Sequence, residues 1–251
     1  MKILITGVAG FIGFNFANFL CKKYKNVNII GIDNINSYYS QKYKKKRINE
    51  LIKHNNFQFK KIDIINYKKL EIIFKKNKFY CIFNFAAQAG VRHSIKEPRN
   101  YIDTNIVGFF NILELTKKYK ISKLFYASSS SVYGEKKKFP TRENDYLDPT
   151  NVYSLSKNFN EKITQIYCNL NNVKAIGLRF FTVYGEWGRP DMFLFKIFYS
   201  IIRKKTFELN NSGNHHRDFT YIEDVNIILD KLLKKQIKSS HIVLNICSGK
   251  T

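Results

Sequence analysis

Residues 3–13 read ILITGVAGFIG, an apolar strand that runs directly into a glycine-rich turn. Apolar residues at helical spacing follow, and a second apolar stretch at 27–32 ends at Asp33. This order of strand, turn, helix and strand is the setting that a dinucleotide-binding fingerprint requires. The glycines permit a tight turn and let backbone N–H groups approach a pyrophosphate at the start of the helix. The stretch therefore predicts a βαβ unit that binds a dinucleotide.

Asp33 stands where a carboxylate can bind the hydroxyls of an adenosine ribose. An acidic side chain there repels a 2′-phosphate, and Asn34 rather than an arginine follows it, so the pattern favours NAD over NADP. The alternative is a glycine turn that merely packs the helix on the sheet. With strand, helix and acid all in place, we expect a cofactor site at Gly7, Gly10, Phe11, Ile12, Gly13, Asp33 and Asn34.

Strand-sized and helix-sized stretches keep alternating after this unit. Repeated βα units imply a doubly wound parallel sheet of the α/β class, with ligands at the carboxyl ends of its strands. Gln88, Ser129 and Thr182 each follow a predicted strand, so we expect all three at that edge. The predicted strands are 57–62, 80–85, 123–128 and 174–181, and the predicted helices are 67–76, 102–119 and 152–170.

The pattern changes near the middle of the chain's second half. We expect a Rossmann domain that binds NAD at residues 1–183. Residues 184–251 are expected to form a small substrate-binding lobe that partly returns to the Rossmann domain and is incomplete at its C-terminal end.

The formal net charge of +24 raises the question of a nucleic-acid partner. The excess is mostly lysine spread along the whole chain, beside abundant Asn, Ile, Phe and Tyr, which share A/T-rich codons. The densest run, Lys42 to Arg47, is typical of a solvated helix face. We therefore expect no nucleic-acid partner.

Cysteine and histidine spacings indicate no metal site. The adjacent pair His215–His216 has no further ligands nearby in sequence. The apolar runs are strand-sized and the first strand does not resemble a signal peptide, so we expect no membrane partner and a cytoplasmic location. Reduced core thiols are expected at Cys21, Cys81, Cys168 and Cys247.

Tyr153 and Lys157 are four residues apart within a predicted helix, so both lie on one face. The ammonium of Lys157 would stabilise a phenolate and lower the tyrosine pKa, which is normally about 10. Tyr153 would then accept a proton near neutral pH. The spacing alone is weak in a chain so rich in Tyr and Lys, and its meaning depends on a cofactor and a substrate.

Taken together, these stretches resemble the extended short-chain dehydrogenase/reductase family, and within it the nucleotide-sugar epimerases. The resemblance rests on TGxxGFIG at 6–13, DN at 33–34, AAQ at 86–88, SSSSVYG at 128–134, YxxxK at 153–157 and RDFTY at 217–221. More narrowly, QAGVR at 88–92 and LRFFTVYGEWGRPDM at 178–192 are similar to UDP-glucuronate 4-epimerases. Galactose-type epimerases usually have Asn at the position of Thr182.

The resemblance implies an isomerase of polysaccharide biosynthesis that converts UDP-glucuronate to UDP-galacturonate through a transient 4-keto sugar and a recycled NAD. It assigns catalysis to Tyr153, Lys157 and Ser129. It implies further cofactor contacts from Asp63, Ile64, Ala86, Ala87, Gln88, Asn105, Tyr153, Lys157, Phe180 and Val183. The implied substrate contacts come from Gln88, Arg92, Ser129, Ser130, Thr182, Arg189 and Arg217.

Two of these arginines have alternative interpretations. Arg189 can bind the uronate carboxylate bidentately, or it can hold its own neighbour Glu186. Arg217 matches the family position that contacts the UDP phosphates, and its alternative is an ion pair with Asp218 or Glu223.

Other reactions of the family need acids that this chain lacks. Related 4,6-dehydratases carry an Asp-Glu pair after the catalytic residue, and decarboxylases carry Glu at the position of Ser131, whereas Ser130 and Ser131 stand here. The runner-up is a UDP-glucose/galactose-type 4-epimerase, and a catalytically silent dinucleotide-binding member is the other alternative. Family members run several tens of residues beyond the point matching Thr251, and most are homodimers paired through the helices corresponding to 102–119 and 152–170.

Overall fold

Alternating apolar strands and amphipathic helices build the molecule, as the sequence predicts. The computed structural model describes residues 1–136, 139–208 and 217–249. Its strands are β1 (Lys2–Thr6), β2 (Asn28–Asp33), β3 (Phe57–Lys61), β4 (Cys81–Asn84), β5 (Lys123–Ser129), β6 (Ala175–Phe180), β7 (Thr182–Tyr184), β8 (Phe219–Tyr221) and β9 (His241–Ile246). Its helices are α1 (Phe11–Lys23), α2 (Gln41–Leu51), α3 (Tyr67–Lys76), α4 (Val91–Lys96), α5 (Pro98–Tyr101), α6 (Phe109–Lys118), α7 (Val152–Asn171), α8 (Phe193–Ile202) and α9 (Ile222–Lys234).

Seven of these strands form one parallel sheet in the order β3-β2-β1-β4-β5-β6-β9. β1 pairs with both β2 and β4, so the strand order reverses its direction between β1 and β4. In α/β proteins, ligands bind in the crevice that such a reversal opens outside the carboxyl ends of the strands. The predicted doubly wound α/β fold is confirmed.

Helices cover both faces of this sheet. On one face, the ring of Phe16 from α1 meets the ring of Phe83 at 4.7 Å, and Phe83 stacks on Phe125 at 4.4 Å. On the other face, Phe109 from α6 packs on Tyr126 at 5.2 Å. Burial of such large rings is a major stabilising contribution to the fold, and it fixes the strand ends that carry the site.

The segments after β6 partly leave the sheet and then return to it. β7 and β8 pair as a small parallel sheet of their own, with Thr182 opposite Phe219. β9 then lies beside β6, with His241 opposite Ala175. The domain boundary predicted between residues 183 and 184 falls within β7.

One predicted helix is more complex than its pattern indicates. The stretch 102–119 begins as a π-helix at Ile102–Gly108 and continues as α6. Within the described ranges, no helix has the length and apolar character needed to cross a membrane. His215, His216 and Thr251 lie outside the described residues.

The prediction of a solvated face for Lys42 to Arg47 is wrong at two positions. Ser40 caps the N-terminus of α2, where its side chain accepts a bond from the Tyr43 N–H, and the helix lies against the glycine turn. Lys44 is 6% exposed and Arg47 is 0% exposed. Both side chains reach backbone carbonyls beneath the helix, so the burial of their charged groups is compensated by hydrogen bonds.

Candidate active site

A cavity of about 440 Å³ lies at the carboxyl ends of the strands. It runs from the glycine turn after β1 to the first turns of α7, and it also receives the loop after β7. Among the residues that sequence reasoning singled out, its lining includes Gly7, Gly10, Phe11, Ile12, Gly13, Asp33, Asn34, Asp63, Ile64, Ala86, Ala87, Gln88, Ser129, Ser130, Tyr153, Lys157, Phe180, Thr182, Val183 and Arg189.

The glycine turn leaves no room for side chains. Gly7 has a φ of 74°, and a Cβ on it would lie 2.6 Å from the Ala86 nitrogen. A Cβ on Gly13 would lie 2.3 Å from the Gly7 oxygen. α1 starts after Gly10 without a side-chain cap, so its first N–H groups remain available to an anionic group.

Asp33 closes the other side of this turn at the end of β2. Its carboxylate accepts from the Ala9 N–H at 3.0 Å and from the Ile35 N–H at 2.7 Å. Burial raises the pKa of Asp33, while these two N–H groups and the charges of Lys44 and Arg47 act in the opposite direction. The uncapped helix start and this carboxylate together fit the pyrophosphate and adenosine ribose of a dinucleotide.

Neighbouring polar residues extend this end of the cavity. Asn34 donates to the Asp63 carboxylate at 2.7 Å, which joins the ends of β2 and β3. Lys44 donates to the Asn36 carbonyl at 2.9 Å. Burial lowers the pKa of Lys44 to about 8, although the charge of Asp33 opposes this effect. Sequence reasoning did not assign Lys44 or Asn36 to the site, because a lysine within a lysine run gives no local signal of burial.

The opposite end of the cavity brings Tyr153 and Ser129 together. A capping box between Asn151 and Ser154 starts α7 one residue before Tyr153, so the phenol lies at the positive end of the helix dipole. Ser129 is the last residue of β5, lines the same end of the cavity and donates to the Ser131 hydroxyl at 3.1 Å. Burial raises the pKa of Tyr153, whereas the nearby Ser129 hydroxyl and the charge of Arg189 lower it.

Lys157 is held by the neighbouring strand β5. Its Nζ donates to the Ala127 carbonyl at 2.9 Å and lies 6.0 Å from the centre of the Tyr153 ring. Burial lowers the pKa of Lys157 to about 8, with the charge of Glu161 opposing. Ala127 holds the ammonium and the charge of Arg189 lowers the Tyr153 pKa, so the expected effect of Lys157 on Tyr153 stays a prediction.

Arg189 reaches the cavity from the loop after β7. Its Nε donates to Asp191 Oδ1 at 3.0 Å and its Nη2 donates to Oδ2. The Tyr38 hydroxyl donates to the same carboxylate at 3.0 Å. The alternative partner from the sequence, Glu186, instead accepts from the Tyr221 hydroxyl at 2.9 Å.

Three predicted site residues are absent from the described cavity lining. Asn105 is buried behind it, where its side chain bonds the Gln88 N–H at 2.8 Å and the Gln88 carbonyl at 3.0 Å, so it shapes the strand end. Arg92 is exposed on α4, and Arg217 is exposed just before β8. Lining residues that sequence reasoning missed include Asn36, Tyr38, Tyr39, Lys44, Asp191 and Met192.

The sequence is similar to a known family and to known proteins. The sequence profile of the NAD dependent epimerase/dehydratase family matches residues 3–247. Protein CapI of Staphylococcus aureus is 48% identical over 236 residues, which cover 94% of this chain and 70% of that protein. A UDP-glucuronate 4-epimerase of Thermodesulfobacterium geofontis is 41% identical over 223 residues, covering 88% of this chain and 68% of that protein.

A solved structure has a closely similar fold. The UDP-glucuronic acid 4-epimerase from Bacillus cereus, in complex with UDP-glucuronic acid and NAD, superposes with a TM-score of 0.90 at 32% sequence identity. The match covers 98% of this chain and 77% of that one.

Proposed function

This chain belongs to the NAD dependent epimerase/dehydratase family, and on that premise we propose that it is an isomerase that inverts C4 of UDP-glucuronate to give UDP-galacturonate. The observation that carries the proposal is that Tyr153 and Ser129 line one end of a cavity whose other end is the glycine turn. Both ends are needed when one hydroxyl is oxidised and then reduced again beside a resident dinucleotide.

The cofactor is NAD. When bound, it would supply a hydride acceptor for the sugar C4 and then the hydride donor. Tyr153, as phenolate, takes the proton from the 4-hydroxyl and returns it after the sugar has turned. Ser129 hydrogen-bonds the same oxygen and steadies the transient 4-ketone. Lys157 holds the end of β5 through Ala127 and would place positive charge beside the nicotinamide ribose of a bound NAD.

A uronic sugar requires further control of its carboxylate. The 4-keto form is a β-keto acid, which loses CO₂ unless the carboxylate is held in an unfavourable orientation for that step. We assign this task to Arg189, with Thr182 and Ser130, because a guanidinium binds a carboxylate bidentately. The Nη1 group of Arg189 has no hydrogen-bond partner among the described residues, so it remains available for that bond.

The absence of extra acids supports an epimerase over related activities. Elimination from the keto sugar, and the protonation that completes a decarboxylation, call for a carboxyl group after Ser129. Ser130 and Ser131 occupy those positions and line the cavity. Their hydroxyls are too weakly acidic to take that role at neutral pH.

One observation favours the runner-up, a UDP-glucose/galactose-type 4-epimerase. Asp191 already neutralises much of the charge of Arg189, and a neutral hexose places no further demand on that arginine. A catalytically silent member of the family is the less favoured alternative, because Tyr153 and Lys157 both line the cavity.

We also propose an oligomeric state, a domain division and a cellular location for the protein. A homodimer paired through the helices of 102–119 and α7 is supported by an apolar stripe on α7, where Leu155, Phe159 and Ile166 are 56%, 39% and 56% exposed. A Rossmann domain at 1–183 and a substrate lobe at 184–251 follow the sequence division. The unpaired cysteines support a cytoplasmic location.

The test is product analysis with the NAD-loaded protein. UDP-glucuronate, UDP-glucose and UDP-galactose are supplied separately, and the epimers are separated by chromatography. We expect turnover of UDP-glucuronate, and a Tyr153→Phe variant that retains NAD but loses at least about 10²–10⁴-fold in kcat. Turnover of the neutral sugars alone supports the runner-up, and an unimpaired Tyr153→Phe variant refutes the catalytic assignment.

A further inference from the structure

Arg47 is a buried cation whose partners belong to two distant parts of the chain. Its Nη1 donates to the Ala9 carbonyl at 2.7 Å and also to the Tyr39 hydroxyl. Its Nη2 donates to the Trp187 carbonyl and to the Gly188 carbonyl at 3.2 Å. A single guanidinium therefore bonds the glycine turn on one side and the loop after β7 on the other.

The first of these segments is part of the dinucleotide site. Ala9 lies between Gly7 and Gly10, and its N–H donates to the Asp33 carboxylate at 3.0 Å. Its two peptide groups are thus fixed from both sides, by Asp33 at the nitrogen and by Arg47 at the carbonyl. Any group that binds against this turn therefore contacts a peptide whose position depends on its hydrogen bond to Arg47.

The second segment delivers Arg189 and Asp191 to the other end of the cavity. Trp187 has a φ of 60°, and its ring packs on Phe14 at 5.1 Å and on Tyr43 at 5.7 Å. Asn15 of α1 donates to the Glu186 carbonyl at 3.1 Å. The loop is therefore attached to the dinucleotide-binding half immediately before Arg189.

Burial of the Arg47 guanidinium carries a desolvation penalty. Arg47 is 0% exposed, its Nε has no hydrogen-bond partner among the described residues, and its bonded partners are carbonyls and a phenol rather than a carboxylate. The faces of Tyr43 and Tyr39 lie 4.6 Å and 5.6 Å from its central carbon. A leucine would fill this position at lower electrostatic cost, but it would not join the two segments.

We propose that Arg47 is a positioning residue that couples the dinucleotide turn to the loop carrying Arg189, so that NAD and the UDP-sugar strengthen each other's binding. The substrate half of this statement rests on the proposed function. The half that concerns NAD and the loop does not, and the chain provides a reporter for it, because Trp187 is its single tryptophan.

The experiment follows Trp187 emission, excited at a wavelength that NAD does not absorb, with and without saturating NAD. We expect a clear response in the natural protein and in Lys46→Met, which removes an exposed charge from the same helix. In Arg47→Met and in Arg47→Lys the response falls to a third or less while NAD still binds, because an ammonium cannot span the acceptors that a planar fork reaches. A full response in either Arg47 variant overturns the proposal.

Two further measurements keep the test decisive. If these two Arg47 variants fail to fold or to bind NAD, Arg47→Gln, whose shorter amide cannot bond both segments, replaces them, and an undiminished response in that variant overturns the proposal. In the NAD-loaded enzyme, Arg47→Lys raises the KM for UDP-glucuronate by about tenfold and changes kcat by less than about threefold. An unchanged KM together with a lost Trp187 response refutes the substrate half alone.

Discussion

Arg189 and Asp191 form a two-bond ion pair at the wall of the cavity, so one of the chain's own carboxylates already occupies one edge of the arginine assigned to the substrate. Tyr38, from the loop after β2, donates to the same carboxylate. The pair therefore fixes the guanidinium in the plane set by Asp191 and partly cancels its charge. Both effects bear on how the enzyme separates a uronate from a neutral sugar.

Replacing Asp191 with Asn should sharpen the preference for the charged sugar. The amide retains an oxygen for Arg189 while the negative charge is lost, so the arginine attracts a uronate more strongly. We expect the ratio of kcat/KM for UDP-glucuronate to that for UDP-glucose to rise about 3–10-fold, equivalent to ~1 kcal/mol. An unchanged or smaller ratio would show that the pair does not tune selectivity, and Asp103→Asn, on the π-helix and outside the cavity lining, is the matched control.

Removing the Ser129 hydroxyl should slow the reaction and shift its pH profile. The Ser129 hydroxyl lowers the Tyr153 pKa, so its loss raises that pKa, and a higher pH is then needed to form the phenolate. For Ser129→Ala we expect kcat to fall about 10–100-fold and the acidic limb of the kcat/KM profile to move to higher pH. Ser122→Ala, just before the opposite end of β5, is the control, and a limb that stays in place contradicts the effect assigned to Ser129.

The buried Lys157 should make stability rise with pH in the alkaline range. Its pKa is about 8 in the folded protein and about 10.5 in an unfolded chain, so between these values the unfolded state binds more protons. The free energy of unfolding of the natural protein, relative to Lys157→Met, should increase by about 1–3 kcal/mol from pH 7 to pH 10. Urea denaturation of both proteins measures the difference, and parallel curves would refute the burial of a charged Lys157.

Breaking the ion pair between Arg179 and Glu161 should be far more damaging than breaking a surface pair. Both side chains are buried, and Arg179 donates to Glu161 at 2.9 Å and 2.7 Å. Arg179→Met leaves an uncompensated carboxylate and should cost about 3–5 kcal/mol. Lys118→Met, which breaks the exposed pair with Glu71, should cost less than about 1 kcal/mol.

A double variant separates the cost of the unpaired charge from the cost of lost packing. Adding Glu161→Gln to Arg179→Met removes the unpaired charge, so part of the lost stability should return. Thermal unfolding at pH 7 compares the natural protein with Arg179→Met, Lys118→Met and the double variant. A double variant no more stable than Arg179→Met would place the cost in lost packing instead of in the orphaned charge.

Local patterns were sufficient for the fold and for the two ends of the site. The strand and turn at 3–13 and the position of Asp33 depend on residues close together in sequence, and the structure has them in one cavity wall. The same holds for Tyr153 and Lys157, whose spacing and helix were both evident. Strand-end residues such as Thr182 also lie where parallel-sheet geometry places them.

Contacts between distant segments were beyond these patterns. Arg47 lies in a basic run that predicts a solvated face, and its burial depends on carbonyls at Ala9 and Trp187 that no local periodicity reveals. The partner of Arg189 is the carboxylate two residues later, because the loop turns Glu186 toward Tyr221. Spacing on one helix face likewise did not reveal that Ala127, on a neighbouring strand, holds Lys157.

The late return of β9 to the sheet has a consequence for synthesis of the protein on the ribosome. β6 pairs on one side with β5, but its other edge is covered only when β9 arrives. At roughly 5–20 residues per second, the stretch from Ala175 to His241 takes on the order of 3–13 s to be made. For that time the unpaired backbone edge of β6 is open to other nascent chains. Wider spacing of ribosomes on the message, or a chaperone that shields β6, should therefore raise the yield of folded protein.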